Sequence, residues 1–138
     1  MRRRWLGTVT EMKKLSALAA VGVAALLLSG CSEQASTLAA CGQVATQAVQ
    51  VSGVIDTVTS QTPETAQAAL DEVGRIVENI RAIDGPTEFT ELRDSWTTSI
   101  DSFVAEGQRT IAGDPGNMDA ATTQLRTATE AVVAYCAP

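Results

Sequence analysis

The stretch from Thr62 to Pro86 reads TPETAQAALDEVGRIVENIRAIDGP, and it decides the fold class of the chain. Its apolar side chains recur every three or four residues, the spacing that turns one helix face toward a core. These side chains are Ala66, Leu70, Val73, Val77 and Ile80. Thr62 can cap the first amides, Pro63 suits the first helical position, and Asp84-Gly85-Pro86 stops the helix. The sequence therefore predicts a helix over residues 63–83.

Three further segments carry the same periodicity, over residues 37–59, 88–112 and 118–136. Their inward positions include Cys41, Val44, Ala48, Val51, Ile55 and Val58 in the first, Phe89, Leu92, Trp96, Ile100 and Phe103 in the second, and Met118, Ala121, Leu125, Ala128 and Val132 in the third. Gly113-Asp114-Pro115-Gly116 marks a turn, and Asn117 suits a helix N-cap. Four helices with short loops predict an all-α fold, an antiparallel up-down four-helix bundle.

The segment from Val49 to Val58 has an alternative interpretation. Short apolar runs flank Ser52-Gly53, and together they could form a small β-hairpin. The helical seam crosses Ser52-Gly53 without a phase break, and the two strands would be very short. We therefore favour a helix through this segment.

The N-terminus has the features of an export signal. Leu15 to Leu28 is an apolar run of 14 residues, with basic residues before it and small residues after it. As a helix it would be only about 21 Å long, too short to cross a hydrocarbon core of about 30 Å. The run fits the apolar region of a secretory signal.

The end of this signal, Leu28-Ser29-Gly30-Cys31, resembles the lipobox of bacterial lipoproteins. The resemblance implies that residues 1–30 are cleaved and that Cys31 carries a diacylglycerol as the new N-terminus. Residues 31–36 would then form a lipid-anchored tether, and 37–138 the helical domain. The composition resembles that of envelope lipoproteins from high-GC, actinobacterial-type species. Translation could start at Met1 or at Met12.

The two remaining cysteines, Cys41 and Cys136, form an even pair in an oxidising compartment. In an up-down bundle the first helix begins where the last one ends, so both cysteines fall at one end. We therefore predict a Cys41–Cys136 disulfide, which would stabilise the fold by up to about 4.7 kcal/mol on the chain-entropy model.

Removal of residues 1–30 leaves five arginines, no lysine or histidine, and 15 acids, so the net charge is −10. We expect Asp71 to pair with Arg75 and Glu106 with Arg109 along their helices. The acid excess repels nucleic acid and anionic head groups, which excludes both as partners. Membrane contact would come from acyl chains on Cys31.

The residue types in the chain argue against an enzyme. The chain has no histidine for acid–base chemistry, and no Gly-rich phosphate loop or Glu-x-x-His pair. No lysine follows residue 31, and both remaining thiols are expected to be bonded to each other. We therefore expect no catalytic residue, no metal site and no cofactor.

Two sets of residues are candidates for binding. Glu91, Asp94 and Asp101 form an acidic stripe on the outer face of the third helix. The stripe is either a solvated face, a docking face for a cationic protein, or a weak Ca²⁺ site. Trp96 is either a core anchor or part of a pocket for a hydrophobic ligand. The small residues that would leave room for that pocket are Ala48, Ala121 and Ala128.

These observations predict a non-catalytic, lipid-anchored protein on the extracytoplasmic face of the cell membrane. It would act through protein interaction or in a structural role. The alternative is a carrier or sensor of a small hydrophobic ligand held in a bundle cavity. The oligomeric state stays open.

Overall fold

The computed structural model describes the backbone of residues 9–138 and the side chains from residue 32 onward. All regular structure in this part is helical: α1 is Val9–Ser60, α2 Pro63–Arg81, α3 Thr87–Ile111 and α4 Met118–Tyr135. The prediction of an all-α helical bundle with four helices and no strand is confirmed for these residues. The predicted signal at 1–30 and the predicted lipid-attachment residue Cys31 lie outside the described side chains.

The chain divides into two compact units, Met1–Ala35 and Ser36–Pro138. The second unit contains the hydrophobic core, to which all four helices contribute. Its fully buried large side chains are Val44, Ile80, Ile83, Phe89, Trp96, Ile100, Phe103, Leu125 and Val132. The inward seams predicted from the sequence therefore supply this core.

Helix α1 differs from the predicted first segment at its N-terminal end. Residues 32–36, which we predicted as a tether before a helix starting at Thr37, are helical and exposed. They contain no proline or glycine, and Glu, Gln and Ala favour a helix, so nothing local stops it. The stretch Ser32–Ser60 is long and apolar enough to cross a membrane by length and composition. Many of its apolar side chains, including Val44, Val51 and Ile55, instead pack in the core.

The hairpin alternative for Val49 to Val58 is wrong. Both apolar runs lie in α1, and Gly53 continues the helix between them. Val51 and Ile55 are 3% and 2% exposed, so one helix face carries the buried residues of this segment. Burial of that face stabilises α1 more than the glycine weakens it.

The helix ends follow the predicted stop signals, but the predicted side-chain caps do not form. The N-cap residues of α2 and α4 are Thr62 and Asn117, and neither side chain caps its helix. The Thr62 hydroxyl lies 3.2 Å from the Thr65 hydroxyl instead. The turn between α3 and α4 uses Gly113 and Gly116 at φ values of +89° and +51°, which glycine adopts without strain.

The predicted disulfide is present. Cys41 of α1 is bonded to Cys136, which follows the last residue of α4, and their Cα atoms are 5.3 Å apart. The bond closes a loop with a sequence separation of 95. It links α1 to the C-terminal end of α4.

Candidate functional site

Trp96 lies in the centre of the packed core. Its side chain is fully buried, and Nε1 donates a hydrogen bond to Thr129 Oγ1 at 3.0 Å. The Thr129 hydroxyl in turn donates to the Leu125 carbonyl at 2.8 Å, so the indole N–H is satisfied by a positioned acceptor. This geometry is that expected of a core anchor.

The alanines that we predicted beside a pocket are also part of the packing. Ala48 and Ala121 are buried, and Ala128 is half-buried against the core. A void of about 10 Å³ lies within the core, beside Ile100 and Phe103. Its other lining residues are Val51, Val54, Val73, Ile76 and Leu125, so neither Trp96 nor the three alanines border it. A void of this size has room for about one water molecule.

Within residues 32–138, two open grooves lie along α1. The first has a volume of about 320 Å³, lies between α1 and α4, and is lined by Ser52, Ile55, Arg126, Thr129, Glu130, Val133, Ala134 and Ala137. The second, of about 340 Å³, lies between α1 and α2 and is lined by Gln50, Gly53, Val54, Thr57, Ala69, Glu72 and Ile76. Both are open to solvent, so neither encloses a ligand.

The three acids of the predicted stripe are exposed on α3, but they are not three free carboxylates. Asp94 accepts hydrogen bonds from Arg93 at 3.0 and 3.1 Å, and Asp101 accepts one from Arg81 at 3.2 Å. Among the described contacts, Glu91 takes part in no ion pair. The stripe therefore combines one unpaired carboxylate with two ion pairs.

Every arginine in residues 32–138 is engaged with an acid of its own chain. The pairs are Arg75–Glu72, Arg81–Asp101, Arg93–Asp94, Arg109–Glu106, Arg109–Asp114 and Arg126–Asp56. The predicted Glu106–Arg109 pair is present. The predicted partner of Arg75, Asp71, instead accepts a hydrogen bond from Gln67. Residues 32–138 contain 15 acids and five arginines, so their surface presents an acid excess.

A polar cluster holds the connection between α3 and α4. Arg109 Nη2 donates to Asp114 Oδ2 at 2.9 Å, and Glu106 Oε2 accepts the Asn117 backbone N–H at 2.7 Å. The hydrogen bond from Arg109, and then that from the Gly116 backbone, lower the pKa of Asp114. These bonds stabilise the turn. Within the described residues, no group of three or more acids, cysteines or histidines could hold a metal ion.

No family model matches the chain, and neither a curated protein nor a solved structure is similar to it.

Sequence reasoning missed one surface, the outer face of α1. Leu38 and Val49 of α1 are 75% and 73% exposed, and Val133 of α4, which lines the first groove, is 45% exposed. The periodicity of α1 predicts its buried side alone. The signal for the other side was available, because no charged residue occurs between Gln34 and Ile55.

Proposed function

We propose that this protein is a lipid-anchored helical domain on the extracytoplasmic face of the cell membrane, where it binds a protein partner and does not catalyse a reaction. The signal-like run before Leu28-Ser29-Gly30-Cys31 supports the anchor. The Cys41–Cys136 bond supports the location, because disulfides persist in oxidising compartments.

The helix order that we propose for the domain is antiparallel, up-down-up-down. As the residue number rises along α1, the number of the residue that it contacts at α4 falls. The same holds along α3 and α4. The contacts are Cys41–Cys136 and Asp56–Arg126 for the first pair, and Trp96–Thr129 and Glu106–Asn117 for the second. This order places both ends of the domain together.

The observation that carries the binding proposal is that all five arginines of residues 32–138 form ion pairs with acids of the same chain. Each guanidinium of residues 32–138 already lies beside a carboxylate, and acids outnumber arginines fifteen to five, so the net field of this surface repels an anionic ligand. A cationic protein would be attracted, and the α3 stripe with Glu91, Asp94 and Asp101 is its proposed docking face. A basic side chain of the partner can also displace Arg81 from Asp101, or Arg93 from Asp94.

The packing of Trp96 favours a binding partner over a carried ligand. A carrier needs an enclosed apolar volume of several hundred Å³. Trp96 is fully buried with its N–H bonded to Thr129, and the core void is about 10 Å³. The two larger grooves are open to solvent, so they would leave most of a hydrophobic ligand in water.

The docking face is tested by replacing its three acids together, as Glu91→Gln, Asp94→Asn and Asp101→Asn. We expect weaker recovery of the partner from native membranes, with a salt dependence lower than that of the wild type, because exposed charges are screened over about 8 Å at physiological ionic strength. The matched control is the triple change Glu64→Gln, Asp71→Asn and Glu78→Gln on α2, which removes the same charge. Equal recovery by both variants would show that the α3 stripe is only a solvated face.

The anchor is tested by Cys31→Ser. We expect this change to abolish incorporation of radiolabelled palmitate and partition into detergent. The matched control is Ser32→Ala, which should leave both unchanged. Continued labelling of the Cys31→Ser chain would overturn the lipoprotein assignment without affecting the docking test, which can be repeated on soluble protein.

A further inference from the structure

The outer face of α1 is an uncharged surface on a strongly acidic domain. From Gln34 to Ile55 the chain has no Asp, Glu, Lys or Arg, whereas α2, α3 and α4 carry acids along their length. Five exposed residues follow one another on this face at steps of four and three: Leu38, Gly42, Ala45, Val49 and Ser52. We call these five residues the outer seam.

The fold does not use the outer seam. Residues on the opposite side of α1, such as Val44 and Ile55, fill the core and are 1% and 2% exposed. In the seam, by contrast, the side chains of Leu38 and Val49 are 75% and 73% exposed. A Cβ added at Gly42 would meet nothing within 4 Å. Within residues 32–138, the apolar groups of the seam are therefore unpartnered.

The chemistry of the seam limits what can cover it. A cationic protein, the partner proposed for α3, would find no carboxylate between residues 34 and 55. The suitable occupant is an uncharged helix face whose apolar side chains repeat every three to four residues, since this is how two helices pack along each other. The outer seam of a second copy is itself such a face.

We infer that two copies of this chain pair through the outer seams of their α1 helices. Charge favours this surface over the rest of the molecule. Each copy carries a net charge of −10 after residue 31, so contact through α2, α3 or α4 would bring carboxylates of like charge together. Contact through α1 keeps those charges at the periphery, where salt screens them.

The sizes of the seam residues also suit pairing. Gly42 and Ala45 leave shallow positions between the larger Leu38 and Val49, so the large side chains of one copy can fill the small positions of the other. The first groove lies beside Ser52 and presents Val133, which extends the apolar surface onto α4. This inference does not rest on the lipid anchor or on the α3 stripe.

The test uses charge at Ala45, the middle residue of the seam, which meets its own copy whether the two helices run parallel or antiparallel. The full-length chain is taken up in mild detergent and its mass is measured by sedimentation over a concentration series. We expect a wild-type dimer. Ala45→Glu and Ala45→Lys should each raise the dissociation constant at least about tenfold, because each places like charges at the contact. A mixture of the two variants should recover the dimer.

The matched control is Ala68→Glu on the exposed face of α2, which should dimerise as the wild type does. An intact Cys41–Cys136 bond and unchanged helical circular dichroism show that each variant is folded. A monomeric wild-type chain overturns the inference. The inference is also overturned if Ala68→Glu loses the dimer as much as Ala45→Glu does. It is overturned as well if the mixture of variants stays monomeric, or if a different protein is bound at the seam. A water-soluble chain without a lipid would give the same sedimentation result. Failure of the anchor proposal can therefore be distinguished from failure of the pairing inference.

Discussion

At the scale of single residues, Trp96 shows how one hydrogen bond defines a core position. The largest fully buried side chain has one polar atom, and Thr129 supplies its acceptor across the contact between α3 and α4. Thr129 also donates to the carbonyl one helical turn earlier, so its hydroxyl is oriented before it accepts. The pair thereby fixes the relative position of two helices.

We predict that Thr129→Val lowers the free energy of unfolding by about 1–3 kcal/mol, because it leaves a buried indole N–H without an acceptor while nearly conserving side-chain shape. Urea unfolding followed by Trp96 fluorescence measures this. The control is Thr123→Val, which removes a similar bond to a carbonyl one turn back but at an exposed position. It should change stability by no more than about 0.5 kcal/mol. Equal losses in both variants would mean that the indole bond contributes nothing.

The sequence identified Trp96 as inward-facing, but it could not decide between an anchor and a pocket wall. Helical periodicity gives the direction of a side chain, whereas the space left around it depends on how neighbouring helices fit together. The acidic stripe shows the same limit. Its exposure followed from the period of α3, but the pairing of Asp101 with Arg81 joins residues on different helices and has no local signal.

At the scale of the helices, two glycines have opposite roles. At Gly74 of α2 an added Cβ would meet nothing within 4 Å, so the glycine there only weakens the helix. At Gly107 of α3 the same atom would lie 3.1 and 3.3 Å from the Leu70 methyl groups. Leu70 is 4% exposed and held in the core, which leaves it little freedom to move. Gly107 therefore permits the close approach of α3 to α2.

We predict that Gly74→Ala raises the free energy of unfolding by about 1 kcal/mol, through helix propensity alone. Gly107→Ala should lower it, because overpacking typically costs about 1–3 kcal/mol and exceeds the gain in propensity. Chemical denaturation of the two variants under identical conditions gives the comparison. If Gly107→Ala stabilised the protein as much as Gly74→Ala does, the Leu70 side chain would have to move aside at no energetic cost.

The connection between α3 and α4 should make stability depend on acid. The pKa of Asp114 is lowered below its ordinary value of 3.8 by the hydrogen bond from Arg109 and that from the Gly116 backbone. A lowered pKa in the folded state means that the stabilisation is complete above the ordinary value and is lost as the pH falls through the folded-state value. We therefore predict that Asp114→Asn lowers Tm at neutral pH and that the difference from the wild type shrinks in acid.

Thermal unfolding at neutral pH and well below pH 3.8 measures this dependence. Glu78→Gln on the exposed face of α2 is the control, and its small effect on Tm should be similar at both pH values. A constant difference between Asp114→Asn and the wild type at every pH would exclude a contribution from the charge of Asp114.

The helix ends show where sequence reasoning fails at this scale. The stop signals at Gly85-Pro86 and Gly113 to Gly116 placed the ends within a few residues, because glycine and proline act locally. Asn117 is the N-cap residue of α4 as predicted, but its side chain makes no capping hydrogen bond. The contact of its backbone N–H with Glu106 of α3 joins two helices and has no local signal in the sequence. The prediction of a tether at residues 32–36 was also wrong. This segment contains no residue that would stop a helix, so no local signal marks a helix start at Thr37.

At the scale of the whole molecule, the disulfide constrains nearly the entire domain. We predict that reduction of Cys41–Cys136 lowers the free energy of unfolding by up to about 4.7 kcal/mol, because it releases a loop with a sequence separation of 95. Urea titrations with and without reductant measure the change. The double variant Cys41→Ser, Cys136→Ser should match the reduced protein and be insensitive to reductant. Two free thiols in the native, unreduced protein would remove the bond altogether.

The position of that bond also decides how the domain responds to mechanical load. A pull applied to the two ends of the chain enters at Cys41 and leaves at Cys136, so the covalent sulfur link carries the tension and the helices between them carry none. The enclosed residues cannot be drawn out into an extended strand while the link is intact. A domain pulled at its two ends would then behave as a short inextensible connector. On reduction it would lengthen severalfold, at up to about 3.6 Å per released residue.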